Sequence, residues 1–265
     1  MQGANLAAID ETREIFRYRR LVLYLTWGKI KQGERDKVFG RIWNLLNPLA
    51  LLGIYYLIFN VIFKSGIENF VVYLFSAIIA FRFLSESVQL GAMSIVSNRG
   101  LISEAYFPKA VLPLSVVLSR MHDFFYALII LLAMIILTGV RISPMILLLP
   151  LIFLIQFLFT LGLTIISSIV GVFFRDIQNI LQLLFRIVFY LSGTMYHISR
   201  IPESIQPIFK LNPVYIFFES YRNVLLYGEF PPAIRLGTLA LLSILMLWVS
   251  LMLISAKEGE FIKHI

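Results

Sequence analysis

The sequence predicts an all-α membrane protein of six transmembrane helices. It adds an N-terminal amphipathic interfacial helix, and external re-entrant or interfacial helices between spans five and six. Three observations predict this. The chain is 59% hydrophobic and 14% charged, with mean hydropathy +0.86; a soluble domain has about 45–50% apolar and about 25% charged residues. Long apolar runs alternate with short charged or Pro/Gly-marked breaks. Lys and Arg are unevenly divided among those breaks, 14 on the side that holds both termini and 6 on the other. The positive-inside rule therefore predicts that both termini are cytoplasmic.

The 265 residues are read as one integral membrane domain. A cytoplasmic tail and interfacial helix cover 1–33, the six-span bundle 45–254, and a second cytoplasmic tail 255–265. Zero Cys excludes disulfides and thiolate chemistry. The net charge of +8 reflects topology and anionic lipid rather than nucleic acid. The first twenty residues are charged and lack the apolar core of a signal peptide.

In chain order, residues 1–8 are expected to be disordered, and an amphipathic helix is expected over Glu11–Gln32. Arg13, Arg17 and Arg20 share one face, and Ile15, Tyr18, Val22 and Leu25 another, which suits a helix lying on an anionic leaflet. The alternative is a helix packed on a partner. A charged turn at Gly33–Lys37 leads to the first span, Leu45–Phe63, with Pro48 loosening its first turn. Tyr55, Tyr56 and Phe59 crowd its outer half.

The second span, Val71–Leu90, contains Arg82 and Glu86 at i,i+4 spacing. Gly91–Leu112 has too many charges to span and predicts a short cytoplasmic helix. The third span, Pro113–Thr138, carries Arg120, His122 and Asp123, read as an interhelical polar clamp or a proton relay. The fourth is Met145–Phe174 with a break at Pro150, and the sixth is Ile234–Ile254 with a charged tail after it.

The stretch from Arg175 to Phe230 holds the most informative pattern. Asn179, Gln182, Arg186, Tyr190 and Gly193 recur at helical spacing on one face, opposite Leu181, Leu184, Val188 and Leu191. Unpaired polar groups are costly in hydrocarbon, so that face must meet protein or water. It reads as a conduit-lining or subunit-facing side, or as a helix buried against neighbours with Arg186 satisfied there. Pro202, Pro207 and Pro213 then cut the chain into pieces too short to cross. Asn212-Pro213 opens a helix over Val214–Tyr227 with Gly228 past its end. At about 21 Å it suits a helix that dips into the membrane edge or lies on it.

No P-loop, H-E-x-x-H or G-x-S-x-G occurs, and the spans hold only two carboxylates, Glu86 and Asp123. The chain is not expected to be an enzyme by itself. It needs an outside energy source or acts as a channel; a membrane-embedded transferase would need acid/base groups that are missing.

Four stretches resemble the membrane subunits of the type-2 ABC polysaccharide exporters, and among them most closely the wall teichoic acid exporters. They are Gly40-Arg-Ile-Trp43-Asn-Leu-Leu-Asn47-Pro48-Leu49 and Phe107-Pro108-Lys109-Ala-Val-Leu-Pro113, then Arg175-Asp176-Ile-Gln178, and finally Asn212-Pro213-Val-Tyr215 with Glu219-Ser220-Tyr221-Arg222 and Leu226-Tyr227-Gly228. The similarity covers about residues 12–260.

It implies a homodimer in the bacterial plasma membrane, joined by two copies of a separate ATPase subunit that holds the ATP and Mg, with no cofactor on this chain. The substrate it implies is an undecaprenyl-diphosphate-linked polymer, teichoic acid or another polysaccharide such as O-antigen. The first and fifth spans would line the channel. Residues expected there are Tyr55, Tyr56, Phe59, Arg82, Gln182, Phe185, Arg186, Phe189, Tyr190 and Tyr196, aromatic rings for sugar faces and arginines for phosphates. Asn98, Arg99, Glu104, Tyr106 and Lys109 would face the ATPase, and Tyr215, Phe218, Glu219, Tyr221 and Arg222 would form the external helix at the exit.

Overall fold

The computed structural model describes residues 11–34, 42–64 and 66–264, so the expectations for 1–8 and for most of the 33–37 turn lie outside the described residues. Those described are helical and contain no strand. Residues 11–17 form α1, and a turn at Tyr18 leads into α2 (Arg19–Glu34). α3 (Ile42–Tyr55) continues as a π-helical segment over Tyr56–Ile62. α4 (Phe70–Ala92) is followed by the short α5 (Arg99–Glu104) and then by α6 (Val111–Leu137). α7 (Leu149–Phe173) follows a 3-10 turn at Pro144–Leu148, and α8 is Ile177–Leu191. α9 (Gln206–Leu211), α10 (Pro213–Arg222) with a π-helical end over Asn223–Tyr227, and α11 (Ala233–His264) complete the chain.

α4 is the centre of the bundle, packing against α3, α6, α7, α8 and α10. Its sequence explains this. Apolar residues surround it, and Ser76, Ala77, Ala80, Ser85, Ser87 and Ala92 let neighbours approach closely. α7 joins α4 through glycine. A Cβ on Gly171 would collide with the Ala92 carbonyl oxygen. Gly162 sits close on the α11 backbone with more room, 3.0 Å from the Leu247 nitrogen to an ideal Cβ.

Among the described residues four helical segments are long and apolar enough to cross a membrane: Phe70–Ala92, Val111–Leu137, Pro144–Phe173 and Ala233–Phe261. They match the expected second, third, fourth and sixth spans. Where the first and fifth spans are expected, the chain forms shorter apolar helices, Leu46–Ile62 and Ile177–Leu191, that do not reach spanning length. At 15 residues α8 is about 22 Å long, short of a hydrocarbon core of about 30 Å.

Three expectations change. The break placed at Pro150 lies before α7, because Pro150 occupies the first turn, where its missing N–H costs nothing. The separate charged tail is instead a continuation of α11 to His264, with Lys257 and Glu260 paired at 2.9 Å along the helix. The face of the N-terminal helix read as lipid-facing is turned inward: Val22 is buried, and Ile15, Tyr18 and Leu25 pack against the core through α6. Its outward apolar face is a different one, Phe16, Leu23, Tyr24 and Trp27. Arg19 lies 5.0 Å from the Phe16 ring centroid and Lys31 5.6 Å from that of Trp27.

Candidate functional site

α3, α4 and α8 enclose an open groove of about 660 Å³. The spacing of each helix supplies one wall. α4 presents Ile78, Phe81, Arg82, Ser85, Glu86 and Gln89, successive turns of one stripe. α8 contributes Gln182, Phe185, Arg186, Phe189 and Tyr190, and α3 contributes Asn47, Pro48 and Tyr55 among others. Seven of the ten residues expected along a channel therefore converge here. Tyr56, Phe59 and Tyr196 do not line it. Phe59 packs edge-on to Tyr55 at 6.5 Å, Tyr56 faces Phe70 at 6.5 Å, and the Tyr196 hydroxyl donates to the Tyr190 carbonyl at 2.7 Å.

The groove floor is aromatic. Phe81 sits between α8 rings, 5.0 Å from Phe189 and 5.9 Å from Phe185, and Phe189 lies 6.0 Å from Tyr55. Sequence reasoning missed Phe81, Ser85 and Gln89. Their i, i+4, i+8 spacing with polar members at two of three places was the available signal.

The two groove arginines differ. Arg82 is bound to Glu86, and Glu86 also receives Arg120 from α6 at 3.3 Å. Arg120 in turn pairs with Asp123 at 2.8 Å, and His122 Nδ1 lies 3.7 Å from that carboxylate. The cluster thus ties α4 to α6 with two cations against two carboxylates, the geometry of a clamp. Arg186 is exposed and has no hydrogen bond or ion pair among the described residues. α8 turns Leu181 and Phe185 inward, but Leu183, Leu184, Ile187 and Leu191 stay exposed beside the polar stripe.

The residues expected at an ATPase contact divide. Arg99, Glu104 and Tyr106 are exposed on α5 and the segment after it. Asn98 is half-buried and donates to the Ser94 carbonyl at 2.7 Å. Lys109 is buried instead. Its Nζ donates to the Phe107 carbonyl at 3.0 Å, lies 3.6 Å from Glu258 of α11, and sits 4.7 Å from the Phe107 ring centroid. Beside it Glu11 is buried near Glu258 and Glu14, and desolvation first, then those two carboxylates, raise its pKa to about 7 against the pull of Lys109.

The residues expected on an external helix are also mostly inside. Asn212 caps α10 as its spacing predicts, accepting from the Val214 N–H at 2.9 Å. Tyr215, Phe218, Tyr221 and Arg222, however, are buried. Tyr221 donates to Gln156 Oε1 at 2.8 Å, and Gln156 donates to the Ala80 carbonyl at 2.7 Å. Glu219 pairs with Arg235 at 2.7 Å and accepts from the Tyr215 hydroxyl at 3.4 Å. The mixed composition that suggested a surface helix instead meets internal partners, because α8 ends early and leaves carbonyls to bind.

The described residues are helical and hold four segments long and apolar enough to cross a membrane, the make-up of a membrane-integral protein. The chain belongs to the ABC-2 type transporter family, whose profile matches residues 20–226. It is 32% identical to the O-antigen export system permease protein RfbA of Myxococcus xanthus over 96% of this chain and 98% of that protein. The RfbA permease of Klebsiella pneumoniae is 29% identical over 78% of this chain and 81% of its own length. The polysialic acid transport protein KpsM of Escherichia coli is 25% identical over 83% and 86%.

Proposed function

We propose that this chain is the membrane subunit of an ATP-driven exporter that moves a lipid-linked polysaccharide out across the plasma membrane. The groove carries this reading. It offers ring faces for sugar C–H surfaces, amide side chains for hydroxyls, and an unpaired Arg186 for a phosphate. Such a surface grips a repeating polymer without demanding one sequence of units. O-antigen is the polymer class the relatives support. Teichoic acid is the second reading, favoured by the free Arg186, since its backbone carries a phosphate in each repeat.

α3 and α8 complete six membrane segments in this reading, with both termini cytoplasmic. A second copy closes the groove, because α8 leaves Leu183, Ile187 and Leu191 uncovered. ATP and Mg belong to two copies of a separate ATPase that meet Arg99, Glu104 and Tyr106, and the chain itself holds no cofactor.

The test is reconstitution of the chain with its ATPase in proteoliposomes holding diphosphate-linked O-antigen or teichoic acid. A two-plus-two assembly, with ATP-dependent transfer of one polymer, is expected. Transport by this chain alone, without an ATPase, would overturn the reading.

A further inference from the structure

A second polar cavity, apart from the groove, lies where α2 meets the end of α4, α6 and the first turn of α8. Its volume is about 360 Å³, ample for a phosphate or diphosphate given about 30 Å³ per water. Its polar wall includes Lys29 and Gln32 from α2, Ser94 after α4, Arg120 from α6 and Gln178 from α8. Among the described residues no Asp or Glu lines it. Lys29 and Gln32 also line a neighbouring cleft of about 790 Å³ that contains Lys31.

Several of these donors lack acceptors. Ser94 is 2% exposed, and its Oγ has no hydrogen-bond partner among the described residues. Arg120 Nε is buried without one, although Glu86 and Asp123 hold its other end. Lys29 is in no ion pair among the described residues, and burial, with Arg120 adding to it, lowers its pKa. The site is therefore positive and donor-rich, which suits an oxyanion and repels a cation. Tyr24 and Trp27 project from the same part of α2, 77% and 53% exposed, as aromatic residues do at a membrane surface.

We propose that this cavity binds the phosphate or diphosphate of a lipid headgroup, with Lys29 supplying the charge and Ser94 a buried hydroxyl donor. Two lipids supply that chemistry: an anionic phospholipid of the bilayer, or the diphosphate-linked carrier of a polymer. The site does not depend on which polymer the groove accepts, and its test needs neither ATPase nor transport.

The experiment titrates the full-length chain in neutral detergent with inorganic pyrophosphate, and in parallel measures retention of phosphatidylglycerol by native mass spectrometry. Pyrophosphate is expected to bind, with affinity falling about tenfold or more in Lys29→Gln and in Ser94→Ala and unchanged in Lys210→Gln. Retention of phosphatidylglycerol alone, lost in Lys29→Gln, supports the site and assigns it to a bilayer phospholipid. Ser94→Ala removes an unsatisfied hydroxyl, so a purely structural role predicts an unchanged or higher melting temperature with no change in binding. Binding of neither probe, or binding that both substitutions leave intact, overturns the proposal.

Discussion

The guanidinium carbon of Arg222 lies 3.4 Å from the centroid of the Tyr73 ring, while its Nε donates to the Tyr73 carbonyl at 3.2 Å. The same side chain donates to the Gly193 and Thr194 carbonyls at 3.0 and 2.8 Å. One buried cation thus joins α10 to α4 and to the end of α8, where Gly193 turns the chain with φ +65°. Carbonyls at a helix C-terminus carry partial negative charge, and here they take the place of a carboxylate partner.

Arg222→Met is expected to destabilise the protein by roughly 3 kcal/mol or more, since hydrogen bonds to a charged group are worth about 1.5–3 kcal/mol each and three carbonyls would be left bare. Arg222→Lys should rescue little, because one ammonium lacks the planar fork that reaches three acceptors. Thermal unfolding in detergent checks both. A lysine variant as stable as the parent would refute this account.

Gly171→Ala should be more damaging than Gly162→Ala. The first sets a methyl against the Ala92 carbonyl of a rigid helix, whereas the second meets the Leu247 backbone at 3.0 Å, a distance that a small shift relieves. Overpacking typically costs about 1–3 kcal/mol, and Gly171 belongs at or beyond the upper end. Expression and melting temperature of the two variants, side by side, measure the order.

The docking of α1 should weaken as pH rises. Glu11 has its folded pKa raised from 4.5 to about 7, so its contribution is fully present below pH 4.5 and is lost as pH climbs through 7. Protection factors over residues 11–34, hydrogen-exchange rates divided into the intrinsic rate at each pH, are expected to be higher at pH 5.5 than at pH 8.5. Glu11→Gln should flatten the difference and protect the helix at the higher pH. Equal pH dependence in the variant would assign the effect to another group.

The groove arginines should separate stability from transport. Arg186→Gln, at an exposed and unpaired position, is expected to change stability by less than about 0.5 kcal/mol yet to slow polymer export. Arg82→Gln removes one of the two cations on Glu86, and should lower the melting temperature as well as export. Export assays beside unfolding curves distinguish the two. Normal export by Arg186→Gln would remove it from the substrate path.

The amino-acid pattern alone made legible the helical membrane character, the four long apolar segments and the two ends of α10. These follow from composition, run length and the local chemistry of Asn212, Pro213 and Gly228, which act within a few residues of themselves. It also placed Arg82, Arg186, Phe185 and Phe189 on helix faces that prove to meet.

Which partner each polar residue finds emerged from the packing of the helices. Arg222 and Tyr221 read as surface residues because their acceptors, Gly193, Thr194 and Gln156, lie 29, 28 and 65 residues away. Lys109 read as a partner contact because Glu258 comes from the far end of the chain. The N-terminal helix had two apolar faces, and only the position of α6 decided which was covered. Periodicity records which residues share a face; the neighbour that the face meets is set by packing over distances that no local pattern encodes.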